Sequence, residues 1–404
     1  MSNICIGIIR EGKTPPDKRV PFTPEQAAQL QNEYGISVIV EPSEIRAYSD
    51  DDYRNAGCVV QKDLSKCDIL MGVKEVPIRE LIPNKTYFFF SHTIKEQPYN
   101  RKLLQAVLKS KIRLIDYEVL TKPNGVRVVG FGRYAGIVGA YNGLLAFGKA
   151  SGRFKLRPAN ECFDRAEMNA ELKKINLPST YKIVLTGTGR VAKGAREVLI
   201  DAGLAEVSPL EFVDRPFQSP VFTVLEVNHY FFRKDNQPFD KRAFYADPAD
   251  YEARFMSFAR VADMYIPCHY WDSRSPFIFT KEIAQSPENR IKIVADVSCD
   301  IDGPIASTLR PSTIDDPLYG YDPASHTEVP FGTPNSIGVM AVDNLPCELP
   351  RDASRDFGVE LINSVIPALL NNDEDELLER ASITTREGHL GKYFQHLKNY
   401  AELV

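Results

Sequence analysis

Two groups of residues have the types and spacing to do chemistry. Lys74 and His92 each stand directly after an apolar run that reads as a strand, Cys67 to Val73 for the first and Thr86 to Ser91 for the second. In an open parallel sheet, ligands gather at the carboxyl ends of the strands, so an amine and an imidazole placed there form a candidate acid–base pair. Imidazole titrates near pH ~6.5, and burial lowers a lysine amine toward neutrality, whereas the adjacent Glu75 acts the other way. Position alone accommodates equally well a solvated Lys74–Glu75 pair and a structural His92 packed under Phe88, Phe89 and Phe90. The second group is Gly187-x-Gly189-x-x-Ala192, with Arg190 and Val191 inside it, placed after the strand Lys182–Thr186 and at the start of a helix. That context suits a dinucleotide fingerprint. The first glycine makes the tight turn, the second admits a pyrophosphate to the backbone, the small third residue lets helix and strand pack, and the helix N-terminus stabilises the phosphates. The alternative is a tight strand–helix turn that holds no ligand.

A ribose-binding acid is expected roughly 20 residues further on. The next strand reads as ending near Val207-Ser208, which offers Glu206, Glu211 and Asp214, while Arg215 suits a 2′-phosphate; NAD and NADP therefore both stay open. Arg19 and Arg127 are candidate carboxylate clamps through bidentate hydrogen bonds, or else ordinary surface arginines. The other histidines, His229, His269, His326, His389 and His396, show no ligand spacing and read as structural or exposed. Seven scattered cysteines without a CxxC pair argue against a disulfide framework and against a metal site.

These residues need elements to position them. Strands alternate with helical segments through the first third, which predicts right-handed crossovers and a mostly parallel sheet covered on both faces. Thr23-Pro24-Glu25-Gln26 reads as an N-cap, an N1 proline and a capping-box glutamine, with Gly35 ending the helix. Tyr134 to Phe147, rich in glycine and apolar residues, reads as a connecting helix closely packed on a neighbour. Pro216 to Arg260 shows no clean periodicity and reads as an irregular excursion with a helix near Asp250 to Ala259. Ser354 to Leu370 is an amphipathic helix suited to pack back on the first domain, and a last helix is predicted near Lys392 to Leu403.

A length of 404 residues favours two domains, and 43% hydrophobic with 25% charged residues is ordinary globular usage. The net charge of -5, with no long run of one sign, excludes a nucleic-acid partner class. The apolar start is broken at Arg10 and Glu11, and nothing approaches the roughly 18 apolar residues of a membrane span, so a cytoplasmic protein without a membrane partner is expected.

Several motifs carry a family resemblance. Gly7 to Lys13 with Arg19-Val20-Pro21-Phe22-Thr23-Pro24, Gly72-Val73-Lys74-Glu75-Val76-Pro77, Phe90-Ser91-His92-Thr93-Ile94-Lys95 and Phe131 to Gly136 resemble the superfamily of alanine dehydrogenase, transhydrogenase and lysine-forming saccharopine dehydrogenase. Leu185 to Gly189, Tyr265 to Trp271, Ala295 to Asp300 and Asp343-Asn344-Leu345-Pro346 narrow it. They resemble the lysine-ketoglutarate reductase part of aminoadipic semialdehyde synthase and the fungal lysine-forming enzymes.

The resemblance implies two Rossmann-like α/β domains with parallel sheets and an active cleft between them. The first would be discontinuous, 1–134 with 346–404, and the dinucleotide domain would be 135–345. It implies NAD(P)-dependent interconversion of saccharopine with lysine and 2-oxoglutarate, a small amino-acid substrate, and an oligomeric state left open. Lys74 would deprotonate the secondary amine and His92 would serve water addition and carbinolamine collapse. Arg19 and Arg127 would hold carboxylates, Glu75 and Glu118 would tune the site or meet the amino end, and Asp296, Val297 and Asn344 would line the nicotinamide pocket. The fungal pattern has two adjacent arginines where this chain has Val126-Arg127. The relatives by motif are fused to a second enzyme, so the next reaction is expected of another protein. Two other readings are an alanine-dehydrogenase-like enzyme and a silent dinucleotide-binding relative of the transhydrogenase subunit.

Overall fold

The computed structural model describes residues 4–402. Its chain divides into two compact units, one running to Phe131 and resuming at Pro350, the other spanning Gly132–Leu349. These borders lie three and four residues from those expected at 134/135 and 345/346; the first is moved because the helix opening at Gly132 is built wholly into the second unit.

In the first unit the strands are β1 (Cys5–Ile8), β2 (Ser37–Val40), β3 (Val59–Val60), β4 (Ile69–Lys74), β5 (Thr86–Phe90) and β6 (Arg113–Asp116). All pair in parallel, in the order β3-β2-β1-β4-β5-β6. This is a doubly wound order whose switch point lies between β1 and β4. Helix α1 (Pro24–Tyr34) has the expected capping box of Thr23 with Gln26, and Gly35 ends it at φ 67°. Helices α2 (Asp50–Asn55) and α3 (Arg101–Lys109) are crossovers. The helix Pro350–Leu370 returns to complete the core, placing Phe357, Leu361 and Val365 among Phe22, Ile115 and Tyr117. It is tied down by Ser354 Oγ, which accepts from Val20 N at 2.9 Å, and by Gln26 Nε2, which donates to Arg355 O at 2.8 Å.

The second unit opens with α4 (Gly132–Ser151), which is buried on most sides. Its glycines are explained by close approach. A Cβ on Gly136 would lie 1.8 Å from Val191 O, and one on Gly194 of the facing helix 1.9 Å from Arg133 O. The segment is therefore core of this unit rather than a connector. Helix α5 (Arg165–Glu171) follows, then β7 (Lys182–Thr186), α6 (Arg190–Asp201), β8 (Ala205–Glu206) and β9 (Val221–Leu225). The expected irregular excursion contains a small antiparallel pair, β10 (Phe231–Arg233) and β11 (Tyr251–Ala253). The expected helix at 250–259 is only Met256–Ala259, because Tyr251 to Ala253 is held in that pair. Then come β12 (Met264–Pro267), β13 (Ile293–Ala295), β14 (Leu318–Asp322), β15 (Thr327–Val329) and β16 (Ile337–Met340). The sheet order is β15-β14-β16-β13-β12-β7-β9-β8, parallel except that β14 is antiparallel to both of its neighbours, β15 and β16. The predicted last helix is a 3-10 turn, Gln395–Leu397, running into a short helix, Lys398–Ala401; Leu403 lies outside the described residues. Among the described residues no helix is long and apolar enough to cross a membrane.

Candidate active site

Lys74, His92 and Glu118 stand at the carboxyl ends of three neighbouring strands, β4, β5 and β6. The register of β4 against β5 slips here: Met71 faces Phe88, but Lys74 faces Phe90, so β4 has one extra residue. Such a bulge re-aims the side chain that follows it and frees backbone donors. The freed N–H groups of Val73 and Lys74 donate to Glu11 Oε1 and Oε2 at 2.7 and 2.9 Å. Glu11 thus takes the place of a ladder partner and holds the backbone of Lys74. Burial, with Asp17 nearby, pushes the Glu11 carboxyl up to about 8 against these two hydrogen bonds.

His92 has φ 55°, the left-handed region, and is half-buried. Its neighbours hold it there. Ser91 donates through N and Oγ to Asp116 Oδ2 at 2.9 and 2.5 Å, and Thr93 Oγ1 lies 2.8 Å from Ser91 Oγ. The other oxygen of Asp116 accepts from Glu118 N at 2.7 Å, so one buried carboxylate braces both the His92 loop and the Glu118 turn. Burial raises Asp116 to about 6. His92 itself is lowered from its ordinary value by burial and by the cations of Lys95 and Lys74, which keeps the imidazole neutral and competent as a base.

Glu75 accepts from Lys13 Nζ at 2.5 Å, and its Oε2 lies 3.9 Å from His92 Nδ1. Glu118 Oε1 lies 3.5 Å from Lys95 Nζ and 3.4 Å from Arg127. The second oxygens of both, Glu75 Oε2 and Glu118 Oε2, are buried without a hydrogen-bond partner. An orphaned carboxylate oxygen is costly unless a donor arrives, so both are suited to an amino group. Arg19 is buried and bidentate to Asp17, at 3.0 and 2.6 Å, with its guanidinium 4.1 Å from the Phe131 ring centroid. Burial alone would raise Asp17, but Arg19 overrides it and holds that carboxyl at about 2. The sequence-predicted carboxylate clamps therefore have carboxylates from the chain itself: Asp17 for Arg19, and Glu118 for the more exposed Arg127.

In the second unit a cavity of about 810 Å³ opens at the fingerprint. Gly187 has φ 101°, and a Cβ there would lie 2.6 Å from Cys268 O, so the turn requires glycine. At Gly189 a Cβ would meet nothing within 4 Å, and no side chain caps α6. That open, uncapped N-terminus fits a pyrophosphate. Arg190 and Val191 line the cavity with these glycines, whereas Ala192 is buried in packing. Val297 and Ser298 line it too. Asp296 and Asn344 do not; Asp296 is fully buried, bonded to Ser298 N, Cys299 N and Thr308 Oγ1, and so shapes the turn.

None of the acids the sequence offered for a ribose lines this cavity. The neighbour of β7 is β9, with β8 relegated to the sheet edge. Glu206 pairs with Arg196, Glu211 caps Ser208 and pairs with Arg215, and Asp214 lies in a different hollow. Besides Asp272, which pairs with Arg274, the carboxylate lining the cavity is Glu226, next after β9. Spacing from Gly189 could not find it, because β8 and a helix, Pro209–Asp214, intervene. The signal available was the apolar run Val221–Leu225 ending at an acid. His269, set aside on sequence, is buried and lines the same cavity.

Residues 7–138 match the model of the alanine dehydrogenase/PNT N-terminal domain. The chain is 31% identical to the mitochondrial alpha-aminoadipic semialdehyde synthase of Rattus norvegicus over 96% of its own length and 47% of that protein. It is 25% identical to the NAD(+), L-lysine-forming saccharopine dehydrogenase of Neurospora crassa, over 87% of each. The chain thus spans about half the length of the semialdehyde synthases it matches. Among solved structures, an L-alanine dehydrogenase has a TM-score of 0.65 at 17% identity, covering 99% of this chain and all of that one. The transhydrogenase from Sinorhizobium meliloti has a TM-score of 0.58 at 17% identity, covering 96% of this chain and 99% of that one. With an alanine-dehydrogenase-like fold and sequence similarity running almost end to end, the chain is a homologue of the alpha-aminoadipic semialdehyde synthases and the lysine-forming saccharopine dehydrogenases.

Proposed function

We propose that this chain is a nicotinamide-dependent dehydrogenase that interconverts saccharopine with lysine and 2-oxoglutarate. The observation that carries the reading is the convergence of Lys74, His92, Glu75 and Glu118, two of whose buried carboxylate oxygens lack a donor. When bound, the nicotinamide takes up or returns the hydride of the glutarate C2 carbon. In the oxidative direction Lys74, its backbone held by Glu11, removes the proton of the secondary amine. His92, kept neutral by its surroundings, takes a proton from water as it adds to the imine carbon and returns one to the amine that leaves as lysine. Glu75 and Glu118 hold the amino end of the substrate. Gly187, Gly189 and the start of α6 would hold the pyrophosphate, and Glu226 would accept from the adenosine ribose hydroxyls, which would favour NAD over NADP.

A coupled absorbance assay with lysine and 2-oxoglutarate tests this reading, with NADH expected to outperform NADPH. Lys74→Met and His92→Gln should each lower turnover by about 10²–10⁴-fold while NADH still binds. Turnover of alanine, or of pyruvate with ammonia, but none of saccharopine would instead support the smaller-substrate reading that the alanine dehydrogenase fold suggests. No turnover of any amino acid would leave a silent binding protein.

A further inference from the structure

The cavity at the fingerprint contains a polar atom that the proposed function leaves unused. His269 follows β12 and is 8% exposed, and its Nδ1 lies 2.7 Å from Thr186 Oγ1. Thr186 Oγ1 in turn lies 3.0 Å from Tyr265 Oη. His269 Nε2 is buried and has no partner.

The direction of this three-membered chain follows from its far end. Tyr265 is fully buried among Phe255 and Phe279, and Thr186 is the hydrogen-bond partner its hydroxyl has. A buried hydroxyl proton needs an acceptor, so Tyr265 donates to Thr186. Thr186 has one proton and passes it on to His269 Nδ1, which must accept. In a neutral imidazole the other nitrogen then bears the hydrogen. Burial holds His269 down at about 4, so the ring is neutral in ordinary buffers. The leftover group is thus an N–H donor.

Its place in the fold indicates what it meets. A Cβ on Gly187 would lie 3.0 Å from His269 Cα, so the imidazole stands beside the turn that receives the pyrophosphate. Glu226 lines the same cavity, as do Tyr230 and Tyr270. Nε2 is closed to water, and a ligand oxygen reaches it only when neighbouring wall side chains yield.

We propose that His269, oriented by Thr186 and Tyr265, donates a hydrogen bond from Nε2 to an acceptor oxygen of the adenosine diphosphate half of the bound dinucleotide. This rests on the reading of the cavity as a dinucleotide site.

The test is titration calorimetry of the full chain with NADH, ADP and AMP, beside long-range ¹H–¹⁵N spectra of protein labelled at histidine. His269→Leu should weaken NADH and ADP by about tenfold, the effect of one hydrogen bond. A like loss for AMP places the acceptor on the adenosine monophosphate part, and an unchanged AMP affinity places it on the second phosphate. His269→Gln, which keeps a donor, should recover part of the loss. In the unaltered protein the spectrum should show the proton on Nε2 and a shift of that nitrogen on saturation with ADP, a result that needs no variant to fold. A proton on Nδ1, or an unchanged spectrum together with equal affinities in His269→Leu, overturns the inference alone. Failure of the unaltered protein to bind NADH or ADP overturns the dinucleotide reading and this inference with it.

Discussion

His92 has a tuned basicity whose sign can be checked. Burial, Lys95 and Lys74 all disfavour its protonated form, while Glu118 and Glu75 partly oppose them. The acid limb of kcat/KM for saccharopine oxidation should therefore fall below the ordinary imidazole value of ~6.5. Glu75→Gln should move that limb to still lower pH, read from a steady-state pH profile. A second carboxyl makes a stability prediction. Burial raises Glu348 to about 8, although Asn142 Nδ2 donates to it at 2.9 Å. A raised folded value means that stability is complete below pH ~4.5 and is lost as pH climbs through the folded value. Glu348→Gln should thus match the parent in Tm at pH 4.5 and exceed it at pH 8, in paired thermal melts. At this scale Lys74 and His92 were legible because each ends an apolar run. Glu11 and Asp116 were not, since their partners are backbone N–H groups that only the folded strands bring near, as with Glu11 and Val73 at 2.7 Å.

Among the elements, the α4–α6 crossing is the most demanding contact. Gly136 and Gly194 each face a backbone carbonyl of the other helix, which cannot swing aside as a side chain can. Gly136→Ala should cost about 3 kcal/mol or more, measured by urea unfolding, because the helices must separate to admit the methyl group. Glycine-rich helical texture made close packing predictable from sequence, but not its partner. Five of the six strands of the first sheet were readable because each is a short apolar run with a polar or turn boundary; the two-residue β3 was too short to show one. The excursion from Pro216 to Arg260 was not, because its buried aromatics, Phe231, Phe244 and Tyr251, pack on one another in a short hairpin and helix rather than along one long periodic face. Glu226 was missed because β9, not the strand next in sequence, lies beside β7.

The whole molecule is a continuous unit inserted into a discontinuous one. Without the helix Pro350–Leu370, the first unit lacks Phe357, Leu361, Val365 and Ile366 from its core. A fragment ending at Phe131 should therefore bind a hydrophobic dye and lack a cooperative melt, and adding a second fragment, 350–404, should restore the transition. Retention of a sharp melt by the first fragment alone would contradict the core described here. The return of the C-terminal helix was anticipated from its period-four apolar stripe.

That return has a consequence for biosynthesis. The first 131 residues leave the ribosome well before their missing helix is made, and at about 5–20 residues per second the wait is on the order of tens of seconds. Over that interval Phe22, Ile115 and Tyr117 have no Phe357 to cover them, whereas the second unit has every strand it needs once Leu349 has emerged. The order in which the two cores can be completed thus inverts the order of translation: the unit 132–349 has all of its residues first, and the N-terminal segment waits for the helix that closes its own core.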